Sequence, residues 1–540
     1  MNTLARYFHT LRHLRPVQIL GRARQRFHRP RPDPRPAPAV RNFRGRYAPP
    51  CELAPSMLAP DSFRFLSVDG RLGSAADWNA PGRALLWTYH LHYFDDLNAA
   101  GARLHDDWHR QLIERWIAEN PPGRGAGWEP YPLSRRIVNW IKWTLSGGTL
   151  PQAARASLAV QMRWLAQCVE YHLLGNHLFT NAKALVHAGL YFEGAEAARL
   201  LARGLRIVDT QLREQILADG GHIERSTMYH AAALDDLLDL VNLLRAARHA
   251  LPESWPATAA RMYHWLSAMT HPDGEISFFN DAAFGVVPTA AMLAAYAQRL
   301  EIDTPTVGQN SLVVLRDSGY ARLASASLTL IADCAAIGPD YLPGHAHADT
   351  LSFELSVGAQ RVFVNSGTSE YGLGAERSRQ RGTAAHNTVV IEGADSSEVW
   401  AGFRVARRAH ARLLAAGSAP QLALEGSHDG YRRLRGRNVH SRRWILEERA
   451  LRIEDRVSGA AAPAEAYFHL HPAVRATHED AATIALELPD RQHGRLRFAG
   501  ASVVELRGGT WHPQFGATLA NQHVAARLDG AQLTTHFTLD

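Results

Sequence analysis

Two histidines placed two residues apart, His345 and His347, are the part of this sequence best suited to chemistry. They lie in the segment Gly344-His-Ala-His-Ala-Asp349, ahead of a run with the alternating pattern of a strand. Side chains two apart in an extended chain project to the same side, so both imidazoles can reach one site and Asp349 continues the row. Pro343 and Gly344 break regular structure just before the pair, which predicts a loop entering a strand.

Two segments of the first half carry further reactive groups at helix breaks. The first, Gly175-Asn-His-Leu-Phe-Thr-Asn181, presents Asn176 and His177. The second, Asp219-Gly-Gly-His-Ile-Glu-Arg-Ser-Thr-Met-Tyr-His230, holds Glu224, Arg225 and Tyr229 before a long helical pattern. Helix capping by Asn176 is the structural alternative for the first segment, whereas capping by Ser226 explains one residue of the second segment and not the others.

A third group of candidates could bind an anionic sugar. Arg377, Arg379 and Arg381 precede His386 at the entrance to a strand, and guanidinium groups match carboxylates and sulfates bidentately. The alternative is a solvated basic loop. Trp128 belongs to a set of aromatic residues in the helical half, which suit either stacking on sugar rings or a helical core.

The elements that must position these residues change character along the chain. Apolar residues recur three and four apart in 154–172, 178–192, 196–217, 226–249 and 255–269, which predicts antiparallel helices. After about residue 305 the period becomes two, with predicted strands at 351–357, 360–365, 387–391 and 450–455. This order predicts an α+β protein with a helical domain followed by an antiparallel β-sandwich, and it excludes a doubly wound sheet.

The domain boundaries follow from the same change in pattern. Residues 1–50 are basic and proline-rich, which favours an extended arm, with a surface-lying amphipathic helix over residues 4–15 as an alternative. Residues 51–304 form the predicted helical domain and residues 305–540 the β domain. The cleft between the two domains is where a ligand is expected.

Composition narrows the partners. The net charge of +7 and the pI of about 9.4 suit an acidic polymer. No zinc-finger spacing, phosphate loop or RNA-binding aromatic signature is present, so we expect no nucleic-acid partner. The three cysteines have no paired spacing, and neither a signal peptide nor a membrane-spanning stretch is recognisable. These features predict a cytoplasmic location, with the periplasm as the alternative.

Four segments in order resemble one family, the heparinase II/III-like polysaccharide lyases. They are 175–185, 219–230, 344–349 and 381–389, and the resemblance spans roughly residues 80–475. It implies an incomplete (α/α) toroid joined to antiparallel β-sheets. The implied reaction is β-elimination next to a uronic acid, in which a base removes the C5 proton and the oxygen leaving C4 gains a proton.

The resemblance also implies roles for individual residues. Tyr229 would act as base or acid with His345 as its partner, and Asn176 or His177 would neutralise the substrate carboxylate. Substrate contacts are expected from Glu224, Arg225, Arg377, Arg381 and Trp128.

Family members can also hold a divalent metal ion, zinc or calcium, at the positions of His347, Asn365 and His386. Asn365 stands where the family usually has aspartate, which should weaken the hold on a cation. Thr180 stands where a glutamate is frequent, so substrate choice or activity could differ from that of the family.

Three functions are therefore under test. The leading hypothesis is a lyase acting on an acidic polysaccharide that contains uronic acid. The second is a non-catalytic acidic-glycan-binding protein of an exopolysaccharide pathway, using the same cleft. The third is a metal-dependent hydrolase, because a His-x-His pair also occurs in amidohydrolases; Pro343-Gly344 and the β pattern downstream oppose it.

Overall fold

The computed structural model describes residues 3–540. Its first half is helical, as predicted, and all five predicted helices are present within a few residues of their expected ends. The helices are α1 Thr3–Leu11, α2 Pro16–Phe27, α3 Leu85–Tyr93, α4 Asp106–Glu119, α5 Pro130–Leu145, α6 Gln152–Cys168, α7 Gly175–Tyr191, α8 Gly194–Gln215, α9 Thr227–Ala246, α10 Ser254–Ala268, α11 Ala290–Arg299 and α12 Ala375–Arg381.

Helix α7 is the central element of the helical domain. Every residue from Leu178 to Tyr191 is buried, so this helix is covered on all sides by its neighbours. Helix α8 instead has an apolar stripe that packs inward and an arginine-rich outer face. Buried tryptophans such as Trp116 and Trp140 fill the same core. The first residues of α7 and α9 therefore stand on a rigid base.

The second half is built from antiparallel sheets, and the predicted α+β fold is confirmed. Three sheets dominate: a five-stranded meander β4 to β8, a four-stranded sheet β20-β21-β16-β9 and an eight-stranded sheet β12-β13-β14-β15-β22-β19-β18-β17. The strands are β1 Met57–Ala59, β2 Ser62–Phe65, β3 Val68–Arg71, β4 Ser311–Leu315, β5 Tyr320–Ala324, β6 Leu328–Asp333, β7 Phe353–Val357, β8 Gln360–Phe363, β9 Val389–Ile391, β10 Val399–Trp400, β11 Arg404–Val405, β12 Ala411–Gly417, β13 Leu422–His428, β14 Val439–Leu446, β15 Ala450–Ser458, β16 Ala464–His469, β17 Arg475–His478, β18 Thr483–Glu487, β19 His493–Ala499, β20 Ala501–Trp511, β21 Leu519–Leu528 and β22 Gln532–Leu539.

A single apolar core joins the three large sheets. Phe363 of β8 contacts Phe468 of β16 at 6.1 Å and Phe537 of β22 at 5.7 Å between ring centroids. The backbone of Val364 also donates to the carbonyl of His469, which links the meander to the four-stranded sheet. The loop that precedes β7, which carries His345 and His347, is thus fixed to a well-packed sandwich.

Two features differ from the sequence interpretation. Within residues 1–50, the described residues form α1 and α2 before an extended stretch, so the arm is not extended throughout. The many arginines in this region do not prevent helix formation, because arginine has a high helix propensity. A small sheet, β1 to β3, also precedes the toroid. Within residues 3–540, no helix has both the length and the apolarity needed to cross a lipid bilayer.

Candidate active site between the two domains

Tyr229 and His345 face each other across the junction of the two domains. Tyr229 lies in the first turn of α9, where the Ser226 hydroxyl caps the helix by accepting the Tyr229 backbone N–H at 3.1 Å. His345 lies on the loop that leads to β7. Their rings are 4.0 Å apart between centroids, at an angle of 32°. A phenol of the helical domain and an imidazole of the β domain therefore share one cleft.

A buried carboxylate, Asp281, holds this arrangement together. It lies on the irregular segment between α10 and α11, and its Oδ2 is 2.8 Å from His345 Nδ1, while its Oδ1 is 2.8 Å from His347 Nε2. Arg377 binds the same carboxylate through both terminal nitrogens, with Nη2 at 2.8 Å from Oδ2. Because an anionic oxygen faces Nδ1, that nitrogen of His345 carries its proton, and Nε2 is left for exchange with a substrate.

The charges of the site follow from these contacts. Burial alone would raise the pKa of Asp281, but Arg377 and the hydrogen bonds from His345 and His347 hold it well below its ordinary value. Burial raises the pKa of Tyr229 well above its ordinary value, and the nearby Tyr371 and Asp281 raise it further. Asp281 is therefore anionic, and Tyr229 is a neutral phenol that can donate a proton.

Tyr371 completes the group around Tyr229. The two hydroxyl groups are 3.0 Å apart, and the Arg377 guanidinium lies 5.0 Å from the centre of the Tyr371 ring. Neither Tyr371 nor Asp281 was assigned a role from the sequence. Tyr371 lies in a glycine-rich loop, and Asp281 follows Asn280 in a segment without periodicity, so only the folded chain reveals that they meet Tyr229 and His345.

Asn280 connects the reactive segments. Its backbone has φ of +57°, in the left-handed region that asparagine tolerates better than most residues. Its side chain donates to the carbonyl of Arg225 at 2.9 Å and accepts the backbone N–H of His347 at 2.9 Å. Its own N–H donates to Asp349 Oδ2 at 2.9 Å. The motif before α9 and the double-histidine loop are thereby fixed to one side chain.

Asn176 and His177 begin α7 at the edge of the same cleft. Gly175 has φ of +52°, and a Cβ at this position would lie 2.4 Å from Leu342 Cδ2 and 2.8 Å from Glu224 Oε1. This close packing lets the Asn176 N–H approach Glu224 Oε1 at 3.4 Å. The other oxygen of Glu224 is 3.6 Å from His345 Nε2. Glu224 therefore joins the start of α7 to the Tyr229 and His345 pair.

His177 is prepared to carry a positive charge. Its Nδ1 is 3.2 Å from Glu170 Oε2, and its ring packs on Tyr131 at 4.6 Å between centroids. Burial opposes protonation, but Glu170 outweighs it and the pKa of His177 is raised above its ordinary value. Asn181 also donates to Glu170 Oε2 at 3.1 Å, which fixes the carboxylate. A half-buried imidazole whose charged form is favoured in this way suits a carboxylate ligand.

The other predicted substrate-binding residues are engaged by the protein itself. Arg377 is bound to Asp281, and Arg381 donates from Nε and Nη2 to the carbonyl of Ala346 at 3.0 and 2.8 Å. Arg225 donates to the carbonyl of Ser318 at 2.9 Å. These guanidinium groups hold the loops of the site, because the carbonyl and carboxylate groups around them would otherwise be buried without partners.

Trp128 lies in the core rather than in the cleft. It is buried, its indole N–H donates to the carbonyl of Asn120 at 3.3 Å, and its ring contacts Trp116 and Trp164. The expectation that it stacks on a sugar is therefore not met. Large aromatic residues in a helical array gain more from burial than from exposure to a groove.

The three predicted metal ligands lie close together, with the rings of His347 and His386 5.3 Å apart between centroids, but they lack an anionic ligand for a cation. His386 Nδ1 is 3.3 Å from Asn365 Oδ1, and that oxygen also accepts the Asn387 N–H at 3.3 Å. The Asn365 amide nitrogen is buried without a hydrogen-bond partner, as is His347 Nδ1. His386 Nε2 is also buried without a partner, so the set offers two imidazole nitrogens and one neutral amide oxygen that already lies in two 3.3 Å contacts, with no anionic ligand. Across residues 3–540, no three His, Cys, Asp or Glu side chains are grouped to hold an ion.

Comparisons with known proteins agree with this architecture. The Heparinase II/III N-terminus model matches residues 98–302, and the Heparinase II/III-like, C-terminal model matches residues 308–537. The FtsZ-localized protein C of Caulobacter vibrioides is 28% identical over 462 residues, which are 76% of this chain and 75% of that protein. The heparin-sulfate lyase of Bacteroides stercoris is 25% identical over 368 residues, which are 58% of this chain and 55% of the lyase.

The fold comparison gives the same result. The crystal structure of heparinase III superposes with a TM-score of 0.71 at 18% sequence identity, over 86% of this chain and 79% of that one. The two family models lie in the same order as the helical and β domains and together cover most of the chain. The chain belongs to the heparinase II/III-like family.

Proposed function

We propose that the protein is a polysaccharide lyase that cleaves a uronic-acid-containing acidic polysaccharide by β-elimination. The observation that carries the proposal is the pairing of Tyr229 with His345 across the domain junction, at 4.0 Å between ring centroids. The heparin-sulfate lyases among the relatives support the same reaction class. A lyase needs one group that accepts a proton and one that donates a proton on the same side of the sugar, and this pair supplies both.

The hydrogen bonds and burial of the pair support a division of the two proton transfers between His345 and Tyr229. His345 is held by Asp281 at Nδ1, so Nε2 accepts the C5 proton of the uronate. Tyr229 is a neutral phenol, because burial raises its pKa, and it donates its proton to the oxygen that leaves C4. The C5–H and C4–O bonds break, and a double bond forms between C4 and C5. The substrate loses one proton to His345 and gains one from Tyr229, so the number of protons on the products is unchanged.

The start of α7 neutralises the substrate carboxylate. Charge that develops at C5 spreads onto this carboxylate, so a cation or amide beside it lowers the barrier. Glu170 favours the charged form of the His177 imidazole, and the Asn176 amide lies next to it on the same helical turn. Both are half-buried, so they are accessible from the cleft. No metal is required for any of these steps.

The test is a screen of the purified protein against uronate-containing polymers, read by the ultraviolet absorbance of the unsaturated product and by product mass. Wild-type protein should produce this absorbance with at least one polymer. Tyr229→Phe should lower kcat by roughly a thousandfold while leaving polymer binding intact. Tyr263→Phe, the same change on α10, is the matched control and should behave as wild type.

Two other outcomes would reject the proposal. Polymer retention without turnover, unchanged by Tyr229→Phe, would instead indicate a non-catalytic acidic-glycan-binding protein. Saturated products, formed by addition of water, would indicate a hydrolase.

A further inference from the structure

Helices α1 and α2 expose a set of large apolar side chains. None of the residues of α1 is buried, and the only buried residue of α2 is Gln18. An amphipathic helix in a folded domain normally turns its apolar stripe toward the core. Here five large apolar side chains are 52 to 80% exposed to solvent: Phe8, Leu11, Ile19, Leu20 and Phe27.

The same region carries the excess positive charge of the chain. Residues 1–32 contain eight arginines and no aspartate or glutamate: Arg6, Arg12, Arg15, Arg22, Arg24, Arg26, Arg29 and Arg31. The whole chain has a net charge of +7, so residues 33–540 together have a net charge of −1, which is +7 minus +8. The basic character of this protein is therefore local.

The inner sides of the two helices are fixed to the protein. Tyr7 packs against Trp400 at 5.0 Å between ring centroids, and the Trp400 indole donates to the Thr10 hydroxyl at 3.2 Å. On α2, the Gln18 amide donates to the carbonyl of Tyr341 at 3.0 Å, and the guanidinium of Arg15, the residue that precedes α2, lies 3.5 Å from the centre of the Tyr341 ring. The apolar side chains therefore point outward from an ordered support.

We propose that α1 and α2 form a docking surface for an anionic lipid bilayer. Phe8, Leu11, Ile19, Leu20 and Phe27 would enter the interface, while exposed arginines of α2, namely Arg22, Arg24 and Arg26, contact the lipid headgroups. A nucleic acid or a sulfated glycan complements the arginines but offers no apolar layer for five large side chains. A bilayer surface provides both. Because α2 contacts Tyr341, four residues before His345, docking places the mouth of the cleft near the membrane.

The test is co-sedimentation of the full-length protein with vesicles of phosphatidylcholine, with and without phosphatidylglycerol. Binding is expected only with phosphatidylglycerol and should weaken as salt is added. Arg22→Ser/Arg24→Ser/Arg26→Ser should reduce the affinity roughly a hundredfold, about fivefold for each arginine. The matched control removes three exposed arginines of the β domain: Arg432→Ser/Arg435→Ser/Arg497→Ser should bind as wild type.

The apolar half of the surface needs its own variants. Phe8→Asp/Phe27→Asp should reduce affinity at least tenfold without changing the melting temperature, because both side chains are exposed. Leu104→Asp is the control, since Leu104 is 86% exposed on the helical domain. The proposal is overturned if anionic vesicles are not bound at low salt or if the arginine triple variant binds as wild type. It is also overturned if Phe8→Asp/Phe27→Asp binds the anionic vesicles as wild type does. Competition by heparin or DNA in that case would indicate that the arginines bind a polyanion without an apolar layer.

Discussion

Replacing Asp281 by asparagine removes the charge on which four side chains converge. The carboxylate is fully buried and binds His345, His347 and Arg377, with a weaker contact from Thr368 at 3.4 Å. Asparagine has nearly the same shape, so the expected effect is electrostatic. Removing one partner of a buried ion pair costs about 3–5 kcal/mol, because the remaining charge stays buried without compensation.

The loss is large compared with the total stability of a domain. The side-chain oxygen of asparagine can still accept a hydrogen bond. The cost of the lost hydrogen bonds is already part of the cost of the broken ion pair, so we expect the free energy of unfolding to fall by about 4 kcal/mol in total. At about 2–4 °C per kcal/mol, the melting temperature should fall by roughly 8–16 °C. Circular dichroism of the full-length protein measures this shift directly.

The double variant Asp281→Asn/Arg377→Met separates the charge effect from a loss of packing. The double variant has no buried cation without a partner, so its melting temperature should be higher than that of Asp281→Asn alone. Asp455→Asn is the matched control, because Asp455 is equally buried and binds Arg442 and His440 within the eight-stranded sheet. It should lower the melting temperature but not the lyase activity that we propose. The reasoning is refuted if Asp281→Asn melts within about 2 °C of wild type, or if the double variant is less stable than the single one.

Three further predictions concern other parts of the cleft. Because Glu170 raises the pKa of His177, the imidazole is charged at pH values below this raised pKa and neutral above it. KM for a uronate polymer should therefore rise as the pH rises through that range, and His177→Gln should abolish this pH dependence. Asn365→Asp restores an anionic ligand, so zinc should raise the melting temperature of this variant, whereas zinc and chelators should leave wild type unchanged. Gly175→Ala places a Cβ 2.4 Å from Leu342 Cδ2 at a left-handed position, so denaturant titration should show a loss of about 1–3 kcal/mol.

The sequence predicted the architecture well because its hydrophobic period changes once, from helical to alternating. The helix predicted at 196–217 is observed at Gly194–Gln215, and the strand predicted at 387–391 is observed at Val389–Ile391. Local patterns of this kind depend on burial of one face, which is encoded within ten to twenty residues. The order of the motifs was also sufficient to identify the family.

Partners that are distant in the chain could not be predicted in this way. Asp281 is 64 residues from His345 and 96 residues from Arg377, and nothing in its local sequence indicates either contact. The arginines were predicted to bind substrate because their chemistry suits carboxylates, but the carboxylate that Arg377 binds is Asp281. Residue type predicted the chemistry of the interaction, and only the tertiary fold determined the partner.

Asp281 lies between α10 and α11, so a residue of the helical domain orients the His345 imidazole of the β domain. Either half produced alone would lack one member of this ionic contact, so separately expressed halves should not regain the reactive geometry unless they reassemble. The same contact discourages exchange of one domain for that of a distant relative, because a new domain would have to supply an anion at the same depth. Sequence changes in one domain near this contact must therefore be matched by changes in the other domain.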